Sequence, residues 1–333
     1  MFAHMPVFQE PPDCLWDAPG YAAGTPWVCT FRDVLVHSSA GIVCADDVVV
    51  IDTLVLTDET QQHYDDGPDG LMLRSRGPVR HLAGRWLSLL GGNHDSYYHW
   101  TMDCLGRLAA ADAQAMEGNA GVLAPAFCRP FHADSFALSG IARQPRMVAA
   151  DETLRVDELV VPWSVTGFHH PHPCMRPYFE RIAQAAGTVA RGGPRRIYVD
   201  RRIGANRPLA NETEVIAALA PLGFVPVRLE KLSLAEQIGL FRHAEAIVAP
   251  HGAGLANLVY ARPGCRLLEL HVDCWVCWCF RHLAAIFDVR YDCVLGRQVP
   301  GQQLIGGAYR RWSISVLHVL AAAQQMLAEQ SGG

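Results

Sequence analysis

The run Ala246-Ile-Val-Ala-Pro-His-Gly-Ala-Gly-Leu-Ala-Asn257 passes from apolar residues through a proline to His251, Gly252, Ala253, Gly254 and Asn257. Two glycines one residue apart let main-chain N–H groups converge on an anion with no Cβ in the way. A helix starting at Leu255 would add its unpaired N–H groups and its dipole. Phosphate is the guest that suits such a turn. The dinucleotide fingerprint G-x-G-x-x-G is not met, because Asn257 holds its last position, so a nicotinamide site is a poor match. A ligand-free strand-to-helix connection would use the same residues, so the turn gains meaning only from its surroundings.

Further residues with chemical potential stand elsewhere in the chain. His99, Asp103 and Arg107 are spaced i, i+4 and i+8, one face of a helix. A carboxylate one turn from a histidine can orient the ring and raise its basicity. The stretch Ile197-Tyr198-Val199 runs into Asp200, Arg201 and Arg202. Arginines at the carboxyl end of a strand suit bidentate recognition of phosphate. Asn211 and Glu212 open a helical pattern and could simply cap it. Glu269 ends a buried strand one element after the glycine turn, where an acid is costly to bury unless it is used; the reading places it near a ribose hydroxyl.

These residues must be positioned by the elements around them. Arg196 to Val199, Phe224 to Leu229, Ala246 to Ala249, Arg266 to Leu270 and Val289 to Val294 read as strands. Helical patterns alternate with them over Asn211 to Leu222, Ser233 to His243 and Trp275 to Phe287, with Ser233 and Glu236 spaced as a capping box. Such alternation predicts a parallel sheet covered on both faces. In the first half, residues 30–57 predict short antiparallel strands with a hairpin at Asp46-Asp47. A strand over Arg85 to Leu90 follows, then Gly91-Gly92-Asn93 and a long helix from about Ser96 to Met116. Gly121 to Pro125 and Val156 to Pro162 predict further strands. The proline-rich stretch from Gly167 to Pro177 reads as an extended connector rather than a metal site, and a last helix covers about Ser313 to Glu329.

Composition bounds the rest. With 333 residues, 50% hydrophobic, 18% charged and a formal net charge of −5, the chain has the makings of one large or two ordinary globular domains. There is no basic excess for nucleic acid or an anionic membrane surface. The start, MFAHMPVFQEPPDC, lacks the pattern of a signal peptide, and no run of about 18 apolar residues is present. Eleven scattered cysteines read as reduced thiols, and those between Cys274 and Cys279 as core packing among Trp275, Trp278 and Phe280. No Asp-x-Asp pair lies convincingly at a strand end, and neither a Gly-x-Ser-x-Gly nor a Walker turn occurs.

The ordering NHDSYYHWTMDCLGRL, RRIYVDRR, NETEV and HGAGLANLVYARPGCRLLEL closely resembles glycosyltransferase family 61, from about Val34 to Leu295. The family's H-W-x-x-D stretch matches His99, Trp100 and Asp103. Its tyrosine strand with arginine matches Tyr198, Arg201 and Arg202, its asparagine-glutamate pair Asn211 and Glu212, and its glycine turn His251 to Asn257. Its glutamate after the next strand matches Glu269. Gly106 stands where the family usually has proline. The resemblance implies an α/β, GT-B-like fold of two Rossmann-like doubly wound domains facing a cleft, with a carboxy-terminal helix packing back. The expected division is an acceptor-side domain 1–165, a hinge 166–177, a nucleotide-sugar domain 178–310 and a helix 311–333.

It further implies an inverting enzyme that moves a sugar from a nucleotide sugar, UDP-linked, to a hydroxyl of a glycan or glycolipid acceptor. No metal and no other cofactor is expected. Arg201, Arg202, His251, Gly252, Ala253, Gly254 and Asn257 would hold the diphosphate, and Glu269, Asn211 and Glu212 the ribose, base or remaining donor. Asp103 or His99 would take the acceptor's proton, and which of them does so stays open. The expected setting is bacterial surface polysaccharide synthesis in the cytoplasm, including the cytoplasmic face of the membrane. The alternative is a catalytically degenerate sugar-nucleotide-binding or scaffold subunit of a glycan-assembly complex.

Overall fold

The computed structural model describes residues 27–45, 48–50, 53, 64–67, 70–73, 78–111, 120–162, 171–187, 193–201, 207–273, 276–299 and 311–328. Arg202, the hairpin turn at Asp46-Asp47, residues 167–170 of the connector and the expected end of the long helix at Met116 lie outside them. The chain divides between Ala185 and Ala186 into two compact units.

The amino-terminal unit is built on a nine-stranded sheet. Its strands are β1 (Val28–His37), β2 (Ile42–Ala45), β3 (Val48–Val49), β4 (Tyr64–Gly67), β5 (Gly70–Leu73), β6 (Val79–Ser88), β7 (Gly121–Pro125), β8 (Arg146–Val148) and β9 (Thr153–Pro162). The order is β4-β5-β3-β2-β1-β9-β6-β7-β8. One half is antiparallel, as the short early strands predict, and β1 runs antiparallel along the whole of β9. The other half, β9-β6-β7-β8, is parallel. This unit is therefore mixed rather than doubly wound throughout, which corrects the expectation of two alike domains. The physical reason is connection length: the early strands are joined by links too short for the crossover a parallel pair needs. β9 alternates between buried and exposed at its start and is buried at every residue from Leu159 to Pro162, so its carboxyl end is covered on both faces.

Between β6 and β7 lies helix α1, an α turn Tyr97–His99, a π turn Trp100–Cys104 and a 3-10 stretch Leu105–Ala109. Helix α2 (Pro130–Leu138) joins β7 to β8. Helix α3 (Met175–Ala185) follows β9, with Met175, Tyr178, Phe179, Ile182 and Ala183 buried. Those positions are i, i+3, i+4, i+7 and i+8, one apolar stripe, and it packs against the 3-10 stretch of α1 and against α2. The stripe explains why α3 belongs to the amino-terminal unit, whereas the sequence reading assigned residues from 178 onward to the second domain.

The carboxy-terminal unit follows the alternation closely. Strands β10 (Arg196–Val199), β11 (Val225–Val227), β12 (Ala246–Pro250), β13 (Arg266–Val272) and β14 (Arg290–Gln298) are parallel, and β15 (Trp312–Ser313) adds an antiparallel edge. Helices α4 (Glu212–Leu219), α5 (Leu234–His243) and α6 (Cys279–Ile286) and a 3-10 helix (Ala253–Tyr260) make the crossovers. The last helix, α7 (Val316–Ala328), packs back on α4, β13 and β14. Strand α-face periodicity decides what faces what. Ala246, Val248, Leu268, Leu270 and Val272 join Tyr198, Trp312 and Met326 in one core, so the alternate residues, including Glu269 and His271, point to the opposite face. α5 begins with the expected box: Ser233 N–H donates to Glu236 at 2.7 Å and Glu236 N–H to Ser233 Oγ at 3.3 Å. No helix among the described residues is long and apolar enough to cross a membrane.

Candidate active site

The order β11-β10-β12-β13-β14 reverses direction between β10 and β12. In open α/β sheets ligands settle at such a switch point, outside the carboxyl ends of the two strands, because the crossovers leave it on opposite faces and open a crevice. Here the strand ends deliver Arg201 from β10 and His251-Gly252-Ala253-Gly254 from β12. The first bond of the 3-10 helix is Leu255 N–H to Gly252 at 2.9 Å, so the N–H groups of Gly252 to Gly254 precede the helix ladder.

Both glycines have a packing reason. A Cβ on Gly252 would overlap the Arg201 guanidinium, and one on Gly254 would come within 2.8 Å of Leu229. Arg201 lies across the turn and donates to the His251 carbonyl. Burial lowers its pKa, with Glu212 and Tyr198 opposing that shift. Glu212, also buried, accepts from the Arg201 main-chain N–H at 2.9 Å and from the Tyr198 hydroxyl at 3.1 Å. Glu212 thus ties the end of β10 to the start of α4.

Three other residues assigned to the donor have structural work instead. Asn211 stands at the N-cap of α4, but its amide exchanges two hydrogen bonds with the main chain of Ile314, at 2.8 and 3.2 Å, pinning the segment before α7. Asn257 is fully buried and donates to Gln237 at 3.0 Å and to the Gly254 carbonyl at 3.1 Å, which closes the glycine turn from inside. Glu269 is fully buried too. Replacing Asn211 by Ala should therefore lower stability by about 1–3 kcal/mol, since it orphans two main-chain groups, and leave UDP affinity unchanged; urea unfolding and calorimetric titration of the same sample check both halves.

Glu269 has a different role. His251 Nδ1–H donates to its Oε1 at 2.6 Å. Its Oε2 faces His271 Nε2 at 3.1 Å and accepts from the Tyr291 hydroxyl at 2.8 Å. Parallel register sets this up, with Ala249 beside Glu269 and Leu267 beside Tyr291. Phe280 lies 5.0 Å from the His251 ring and Trp278 5.6 Å from the His271 ring, so part of the Cys/Trp segment walls the histidines. Burial alone would raise the Glu269 carboxyl, but the facing histidines outweigh it and hold it at about 2. Burial pushes the His251 imidazole down to about 4, against the pull of Glu269. Burial thus favours the neutral form of the His251 ring, while the facing histidines favour the ionised form of the carboxylate. His271 and Tyr291 were missed by the sequence reading; the period-2 alternation of β13 was the available signal for His271.

His251, Glu269 and His271 also bring one possible metal-ligand atom each within 4.8 Å of one another. Two ligands of a tetrahedral ion, each ~2.0–2.2 Å from it, stand roughly 3.3–3.6 Å apart. The 2.6 Å between His251 and Glu269 is instead the separation of two atoms sharing a proton. As folded, His251 and Glu269 are joined by that hydrogen bond.

In the amino-terminal unit, His99 Nδ1 meets Asp103 Oδ2 at 2.6 Å, as the i, i+4 spacing predicts. The π turn buries Trp100 through Cys104 on all sides, yet the side chains of His99 and Asp103 keep 24% and 11% exposure, so the pair opens to the surface. π turns are rare and concentrate at functional sites. Arg107 does not share that face. It is buried and donates to the main-chain carbonyls of Asp103 at 2.8 Å and Pro162 at 2.7 Å, tying α1 to the end of β9. A wide turn followed by a tight one breaks the 3.6-residue period on which the i+8 reading relied. Trp100 anchors the helix through Ser135 at 2.6 Å, and His132 donates to the His94 carbonyl at 2.8 Å, fixing the loop that leads into α1.

A glycine turn and a buried arginine thus stand at the switch point of the carboxy-terminal unit, and a paired His and Asp in the amino-terminal one. The model of the family described as Glycosyltransferase 61 matches residues 97–268, just over half of the chain, from the residue after the cap of α1 to the one before Glu269. The chain belongs to glycosyltransferase family 61 and is a glycosyltransferase. No curated protein matches it.

Proposed function

We propose that this enzyme transfers a sugar, with inversion, from a UDP-type nucleotide sugar to a hydroxyl of a glycan or glycolipid acceptor, using fixed protein charge where other transferases use a metal. The observation that carries the reading is the switch-point placement of His251 to Gly254 under the Arg201 guanidinium. Main-chain N–H groups of Gly252, Ala253 and Gly254 and the arginine fork would bind the diphosphate and stabilise the charge that grows on it as the glycosidic bond breaks. Arg202, three residues past β10, is assigned to the same diphosphate. In the transfer the acceptor oxygen bonds to the anomeric carbon, the bonding electrons leave with the diphosphate, and the acceptor's proton passes to His99 or Asp103. We assign the two α/β units to the GT-B architecture and the product to bacterial surface polysaccharide, made in the cytoplasm or at its membrane face.

Calorimetric titration with UDP, UDP-sugars, CMP and GDP, each with and without EDTA, tests the donor. The expected result is UDP binding in the micromolar range that EDTA does not alter. A folded sample that binds none of these nucleotides would sink the diphosphate assignment, and binding abolished by EDTA would sink the metal-free one.

A further inference from the structure

The relay behind the glycine turn is built on the fully buried Glu269 carboxylate. His271 Nε2 lies 3.1 Å from Glu269 Oε2, and its Nδ1 is buried and meets no hydrogen-bond partner among the described residues. Burial and the Glu269 carboxylate push the Tyr291 phenol up, which keeps it a neutral donor. Of the two histidines and the carboxylate, only His251 reaches the surface, at 10% side-chain exposure against none for the other two. Its Nδ1–H is committed to Glu269, so Nε2 is the nitrogen that gains or loses the titrating proton.

We propose that His251 takes up one proton on Nε2 as the donor's diphosphate binds, and that Glu269 is the positioning residue that holds the compensating charge behind the ring. The inference rests on the nucleotide-sugar reading above. In the neutral ring, Nε2 presents a lone pair, which repels a phosphate oxygen; protonated, it donates a charge-assisted hydrogen bond. The groups around His251 set the balance. Glu269 favours the charged ring, while burial, His271 and Arg207 disfavour it, and the Arg201 guanidinium lies against the adjoining turn. An incoming diphosphate adds negative charge on the open side and tips the balance toward the imidazolium. The finished site is then an alternating row: carboxylate, imidazolium, phosphate.

The full-length protein would be titrated with UDP-glucose, UDP-galactose, UDP-xylose and UDP-N-acetylglucosamine, whose diphosphates do not titrate near neutrality. Buffers of differing ionisation enthalpy at pH 7 report the protons exchanged. Uptake of about one proton per nucleotide is expected, with affinity falling up to about tenfold per pH unit as pH rises from 6 to 8. Glu269→Gln should abolish the uptake and weaken binding, because a Gln amide can donate to Nδ1 and leave a neutral ring with Nε2–H already in place. Tyr291→Phe, which removes one hydrogen bond and leaves the carboxylate, should retain the uptake, so the inference stays testable if Glu269→Gln does not fold. Nucleotide binding with no proton exchange in the native protein overturns the inference alone. Failure of UDP and of every UDP-sugar to bind a folded sample overturns the donor assignment and the inference with it.

Discussion

Asp103→Asn should lower kcat by about 10²–10⁴-fold, the range expected for loss of a general base, while leaving the affinity for UDP within about twofold. Asp103 accepts the Nδ1–H of His99 at 2.6 Å, which places the lone pair of the ring on Nε2. An asparagine can offer its N–H to Nδ1 instead, which moves the ring proton to Nε2 and removes the proton acceptor. The variant therefore loses the base whether the proton goes to the histidine directly or to the carboxylate. His99→Gln separates the two. If His99 is the base, both variants fall together; if Asp103 is, His99→Gln keeps a substantial part of the rate. Circular dichroism and thermal melting would confirm folding, since Asp103 sits on a buried π turn. Turnover by Asp103→Asn within tenfold of the native enzyme would reduce the pair to a structural contact.

The second large effect concerns the turn. Arg201→Ala should weaken UDP binding by about 100-fold, since charge-assisted hydrogen bonds contribute about 1.5–3 kcal/mol and tenfold in affinity is about 1.4 kcal/mol. Arg201→Lys should recover little, because a point charge does not reproduce the planar fork. Gly252→Ala gives an independent check through a residue with no charge. Its Cβ would occupy the space of the guanidinium, so the arginine must leave the turn, and binding should fall about tenfold or more. Gly252 has an extended φ of 170° that any residue adopts, so the effect would come from displaced Arg201 and not from backbone strain. Unaltered UDP affinity in both Arg201→Ala and Gly252→Ala would show that the diphosphate lies elsewhere.

Much of this was legible in the chain itself, for reasons that are local. The alternation over β10 to β14 is a matter of hydrophobic period, and β10, β12 and β13 start where the pattern starts. The capping box at Ser233, the i, i+4 pairing of His99 with Asp103 and the glycine turn are all written within a few neighbouring residues. The strand order could not be read that way. Whether β10 lies beside β12 depends on how crossovers pack, and that order alone turns Arg201 and Gly252, 51 residues apart, into one site. The same holds for Glu269. On the sequence it was an acid at a strand end; parallel register placed it against His251 and Tyr291. Asn211 and Asn257 became braces for the same reason, since their partners, Ile314 and Gln237, come from other elements. The sequence by itself determined which residue types stand at the ends of which elements. Only the tertiary structure decided which of them meet, because hydrogen bonds between side chains from separate strands depend on register and order, and neither has a local period.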